Sequence, residues 1–128
     1  MPPLAHAKSS RDVPAWPRLG WPKAPLRIGH RVHFGPEVMI LTGSHRIGPA
    51  ERRCGTYTFA PVTIGDGCWI GSRVSIMPGV TIGAGSVVCA GAVVTRSMPP
   101  NSLIAGNPAR VAGKLPADRA PDPTALDV

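Results

Sequence analysis

The sequence predicts an all-β protein built as a parallel β-solenoid, and three observations carry that reading. Isoleucine returns at 64, 70, 76 and 82 within VTIGDGCWIGSRVSIMPGVTIG, Val88 and Val94 continue the beat, and Ile40, Phe34 and Ile28 precede it in the same register. A period of six fits neither the 3.6 of a helical face nor the alternation of a simple hairpin meander. Fifteen glycines and sixteen prolines make nearly a quarter of the 128 residues while aromatics are only 5%, so turns should be frequent and helices few. Finally, a second series, Leu26, Val32, Val38, Val62, Cys68, Val74, Val80, Ser86 and Ala92, lies two residues before each beat, and glycine follows five of the nine beats, at 29, 35, 65, 71 and 83.

Taken in chain order, residues 1–25 carry six prolines and read as an irregular N-terminal arm without a packed core. Residues 26–114 form the solenoid domain. Within it, 28–45 make three hexads and 64–99 make six, which at eighteen residues per coil is about three coils. Each hexad is expected to be a short strand and a turn, with one side chain inward and glycine where the chain bends tightly. Strands of successive coils would then pair at about 4.8 Å, stacking like residues into aliphatic ladders. The beat fails at Arg46, Arg52 and Thr58, so residues 46–61 should leave the solenoid as an excursion loop; the alternative is a rung slipped by one residue at Ile47–Gly48. Residues 115–128 (LPADRAPDPTALDV) read as a disordered tail. Open coil ends are exposed strand edges, so self-association is expected.

Composition narrows the function classes. No run approaches eighteen apolar residues, and the proline-rich start has no apolar core of the kind a signal peptide needs, so a soluble, cytoplasmic protein without membrane insertion is expected. Cys54, Cys68 and Cys89 are odd in number and lack CxxC spacing, which speaks against a disulfide framework or zinc ribbon. The formal charge of +7 calls for an anionic partner, a phosphorylated cofactor among the options. Cations form no run of five and aromatics are not interleaved as a base-stacking platform requires, so no nucleic acid is expected. GDGCWIG and GAGSVV echo dinucleotide-binding glycine loops, but they follow the six-residue beat and precede no helix.

The stretches LTGSH (41–45), PVTIGDGCWIG (61–71), PGVTIGAGSVV (78–88) and GAVVTRSMPPNSLIAGNPARV (91–111) resemble the hexapeptide-repeat acyltransferases. The likeness is greatest to the maltose and galactoside O-acetyltransferase group, and TGSH also resembles the exopolysaccharide (colanic acid type) acetyltransferases. The resemblance implies a left-handed parallel β-helix, assembled as a homotrimer, that transfers acetyl from acetyl-CoA in clefts between subunits. It places His45 as general base at the end of the coil before the excursion. Imidazole suits that task, since it is largely neutral near pH 7 and can take a hydroxyl proton as the oxygen attacks a thioester. Trp69 would line the pantetheine channel, and the main chain around Ser72 would meet the thioester carbonyl, where a fixed N–H stabilises an oxyanion. Ala90, Thr95 and Arg96 match positions that contact CoA. Arg110 matches a cation that meets its phosphates, for which guanidinium is suited.

His6, His30 and His33 are expected to be solvated, and no histidine follows His45, so the three-histidine zinc spacing of gamma-type carbonic anhydrases is absent and no metal is assigned. Nothing before Arg27 matches the family's N-terminal helical segment or the further coil that contributes acceptor contacts, and Arg46 stands where proline is common. The expected function is therefore acetyl-CoA-dependent O-acetyl transfer by direct reaction to a hydroxylated acceptor, a saccharide or similar small molecule. Amino-sugar N-acetylation and an inactive trimeric scaffold are the alternatives.

Overall fold

The computed structural model describes residues 24–118; the rest of the Pro-rich arm, with His6, Trp16 and Trp21, and the chain after Asp118 lie outside the described residues. Within them the chain is all β, with thirteen strands: β1 (Leu26–Ile28), β2 (His33–Phe34), β3 (Met39–Ile40), β4 (Gly43–Ile47), β5 (Cys54–Phe59), β6 (Val62–Ile64), β7 (Trp69–Ile70), β8 (Ser75–Ile76), β9 (Thr81–Ile82), β10 (Val87–Val88), β11 (Val93–Val94), β12 (Ser102–Gly106) and β13 (Ala109–Lys114). They sort into three sheets along the faces of a β-helix, in the orders β1-β6-β9, β13-β12-β10-β7-β2 and β11-β8-β3, plus the separate hairpin β4-β5. Every pairing between coils is parallel. Among the described residues no helix is long and apolar enough to cross a membrane.

Eighteen residues separate Thr63 from its partner Thr81, and 36 separate Leu26 from Val62. The excursion thus inserts the equivalent of one whole coil, which is why the six-residue phase survives across it. In the last coil the count falls to sixteen, Ile82 bridging Met98 and Val88 pairing with Ile104. The chain then turns back as β13, antiparallel to β12, and closes that end of the β-helix.

Two side chains per hexad point inward, not the one expected. Val62, Cys68, Val74, Val80, Ser86 and Ala92 are buried as fully as Ile64, Ile70, Ile76, Ile82, Val88 and Val94. The reason is the alternation of extended backbone: residues two apart share a face, so both series line the interior. Ser86, the polar member, is satisfied where the coil shortens. It accepts from the Ser102 N–H at 3.2 Å, and the hydroxyls of Ser86 and Ser102 donate to the Pro99 carbonyl at 3.3 and 2.7 Å.

The glycines after the beat serve a different end from the one expected. A Cβ on Gly35 would lie 2.6 Å from the Ser72 nitrogen, and one on Gly71 would lie 2.7 Å from the Ala90 nitrogen, so these sites let successive coils approach. The left-handed turns fall elsewhere, on Arg31, Glu37, Gly67, Arg73, Gly79, Gly85, Gly91 and Asn101.

The excursion also begins earlier than 46. Leu41 still donates to the Ile76 carbonyl, but Ala60 donates to Thr42, and residues 43–59 between them form the β4-β5 hairpin. His45 therefore belongs to the hairpin, not to the last hexad of the first coil. Ile47 is 86% exposed, which removes the slipped-rung alternative.

Candidate active site

The hairpin builds the surroundings of His45. Gly43, Ser44 and His45 pair with Phe59, Thr58 and Tyr57, so His45, Tyr57 and Phe59 share one face. The Phe59 ring lies over Gly43, its nearest atom at an ordinary contact distance of 3.5 Å from where a Cβ would stand. The Tyr57 ring centroid lies 4.0 Å from that of His45, tilted by 38°, and Phe59 stacks on Tyr57 at 5.7 Å. His45 is half-buried beside this aromatic shelf.

The Nδ1 atom of His45 lies 2.8 Å from the Gly55 carbonyl oxygen. A carbonyl only accepts, so Nδ1 must carry the hydrogen in this bond, which leaves Nε2 of the neutral ring as the acceptor. The arrangement can hold an imidazole in one tautomer with its lone pair free to take a proton.

The remaining predicted residues fall elsewhere on the same chain. Trp69 points outward from the middle sheet, its neighbours on that face being His33 and Val87, and is 41% exposed. Ser72 and Ala90 follow β7 and β10, at the corner between the second and third sheets, where the Ser72 carbonyl accepts from Gly91 at 2.9 Å. Thr95 and Arg96 follow β11 at the next corner, the one from which the hairpin departs two coils earlier. Arg110 sits on β13 at the closed end, its Nη1 donating to the Ala109 carbonyl at 2.8 Å, and Arg96, Arg110 and Lys114 are all exposed. One chain thus brings His45 to the same corner as Thr95 and Arg96. Trp69, Ser72 and Ala90 lie beyond the width of the third sheet.

His30 and His33 are exposed, the backbone N–H of His30 donating to Asp66 Oδ1 at 2.7 Å. Cys68 is a rung filler, its thiol donating to the Gly83 carbonyl at 3.3 Å, and burial pushes that thiol up from its ordinary value. Cys54 is exposed. Among the described residues no three His, Cys, Asp or Glu side chains gather as a metal site would require. Sequence reasoning missed Gly55, Tyr57 and Phe59. The alternation in GTYTF was the available signal for a strand whose one face carries both rings.

Comparison with known proteins follows the same outline. Residues 61–96 match the family model described as the hexapeptide repeat of succinyl-transferase. The galactoside O-acetyltransferase of Escherichia coli is 45% identical over 86 residues, which is 67% of this chain and 42% of that protein. Among solved structures, a galactoside acetyltransferase in complex with coenzyme A is 42% identical with a TM-score of 0.66, covering 71% of this chain and 46% of the other. A maltose O-acetyltransferase from Clostridium difficile 630 is 36% identical with a TM-score of 0.61, covering 71% and 59%. The chain spans less than half the length of the curated relatives it matches.

Proposed function

The chain belongs to the hexapeptide-repeat acyltransferase family, with the all-β, left-handed β-helix that family shares, and from that premise we propose that it transfers acetyl from acetyl-CoA to a hydroxyl of a saccharide or similar small acceptor. The observation that carries the proposal is the His45 ring, half-buried in the hairpin and bonded through Nδ1 to the Gly55 carbonyl. In the reaction Nε2 takes the acceptor's hydroxyl proton as its oxygen attacks the thioester carbonyl. The tetrahedral intermediate collapses with cleavage of the C–S bond, and the proton on Nε2 passes to the departing sulfur. The products are an acetyl ester and free coenzyme A.

Acetyl-CoA is the donor these residues would suit. The exposed Trp69 ring would pack on the pantetheine arm, the main chain at Ser72 would meet the thioester oxygen, Ala90 and Thr95 would contact the cofactor, and the exposed cations Arg96 and Arg110 would meet its phosphates. Because His45 and Trp69 stand on different sides of one chain, the site is completed between copies, the His45 corner of one chain facing the Trp69 face of the next. Three copies around an axis satisfy that requirement for a β-helix of three faces, and a homotrimer is the assembly proposed. Three unpaired cysteines are in keeping with a reducing, cytoplasmic setting.

The test is release of coenzyme A thiol with a panel of acceptors that includes galactosides, maltose and amino sugars. Hydroxyl acceptors should turn over. His45→Ala should lower kcat by about 10² or more with donor affinity unchanged. A His45→Ala protein as fast as the parent would remove the base, and transfer to amines alone would make this an N-acetyltransferase.

A further inference from the structure

The hairpin contains an irregularity whose position explains the His45 hydrogen bond. His45 pairs with Tyr57, but two residues on, Ile47 pairs with Cys54, so Gly55 and Thr56 together face the single residue Arg46. This is a β-bulge on β5, and a bulge re-aims the groups around it. Gly55 lies inside the bulge, and its carbonyl receives the His45 Nδ1–H. The backbone approaches so closely there that a Cβ on residue 55 would lie 2.7 Å from the Arg46 carbonyl oxygen and 3.3 Å from the Gly48 nitrogen. Both are main-chain atoms, Arg46 on the facing strand and Gly48 just past its end, so neither can swing aside as a side chain could. Gly55 is not among the residues with left-handed φ. Its requirement is one of space.

We propose that Gly55 is a positioning residue: the bulge, closed against Arg46 only because residue 55 lacks a Cβ, presents the carbonyl that holds His45 in the tautomer with Nε2 free. The catalytic consequence rests on the base role proposed for His45, whereas the tautomer itself does not. Any side chain at 55 would push β5 off Arg46 and carry the carbonyl out of line with Nδ1. Without that acceptor the ring can rotate about its χ angles, or exchange its hydrogen to Nε2 and lose the lone pair the reaction needs. Displacement of a reacting group by about an ångström costs up to roughly 10²-fold in rate.

The experiment is long-range ¹H–¹⁵N correlation of the histidine rings in the intact protein, with His45→Gln supplying the assignment. The parent should show His45 protonated at Nδ1, and a parent protonated at Nε2 overturns the proposal before any variant at 55 is made. Gly55→Ala should move the signature toward the other tautomer or toward exchange between the two. Its kcat should fall by roughly 10- to 100-fold, with the affinity for a non-hydrolysable acetyl-CoA analogue within about twofold of the parent. Retention of the Nδ1–H signature in Gly55→Ala overturns the proposal. The base reading fails separately, through a His45→Ala protein with parental turnover, and the ring signature still decides the role of Gly55 in that case.

Discussion

The first and second coils occupy equivalent positions in one repeat and fare differently. Leu26, Ile28 and Phe34 pair in register with Val62, Ile64 and Ile70. Yet the first three are 44%, 46% and 41% exposed, whereas the second three are between 0 and 1%. The hexad pattern therefore specifies a rung and its phase, but burial comes from the rungs on either side. The second coil lies between two others, and the C-terminal end is closed by β12 and β13. Among the described residues nothing lies beneath the first. A ladder side chain contributes in proportion to the apolar area removed from water, so identical residues in the two coils should not be worth the same.

A matched pair of truncations should separate the two coils most widely. Ile64→Ala leaves a cavity walled on every side and should cost about 2–5 kcal/mol, whereas Ile28→Ala should cost roughly 1 kcal/mol because solvent already reaches that side chain. Urea midpoints at fixed protein concentration measure both. Equal losses would mean that the first coil is covered in solution.

A second pair asks which side of the first coil is open. Gly35 and Gly71 both press on the coil that follows, against Ser72 and Ala90. Substitution by alanine should therefore be similarly damaging at both, by about 1–3 kcal/mol through forced separation of the coils. A harmless Gly35→Ala would imply that the first coil stands away from the second.

Smaller effects are expected at the turns. Arg31 adopts φ of 54° where its second-coil equivalent, Gly67, adopts 71°. Arg31→Gly relieves a strained left-handed residue at some cost in chain entropy, and should stabilise by at most about 1 kcal/mol in thermal unfolding.

The hexads on both sides, the closure into a β-solenoid and the inward column from Ile64 to Val94 were legible in the sequence because a six-residue beat is self-reinforcing: each coil repeats the test applied to the last. The doubling of inward positions was partly legible, since the series from Leu26 to Ala92 is small or apolar throughout, but alternation within a two-residue strand leaves little trace. The hairpin was the least legible. Its strands answer to each other across one bulge, and Gly55 matters through main-chain atoms of Arg46 and Gly48 that no spacing of residue types reveals. His45 was identified by resemblance, and its hydrogen-bond partner only by geometry.

The smallest effect concerns the thiols. Cys54 on the exposed hairpin should react promptly with an aromatic disulfide reagent at pH 8, while Cys68, buried in the second coil with its thiol raised by desolvation, should react only on unfolding. The sign for stability follows from the same shift. The folded state holds the Cys68 proton more tightly than the unfolded chain, so its contribution is present below the ordinary thiol range and is lost as pH rises above it. A Cys68→Ala protein should lack that alkaline slope. Fast labelling of Cys68 in the folded protein would place the second coil in exchange with an open form.

Calorimetric titration of the purified protein with a non-hydrolysable acetyl-CoA analogue reads donor recognition by itself, the step that precedes any choice of acceptor. Saturable binding near one site per chain is expected, weakened by replacement of Trp69 or Arg110 and unaffected by His45→Ala. A folded assembly that takes up no analogue would contradict it, and would leave the β-helix as a scaffold with a histidine in its hairpin and no acetyl group to transfer.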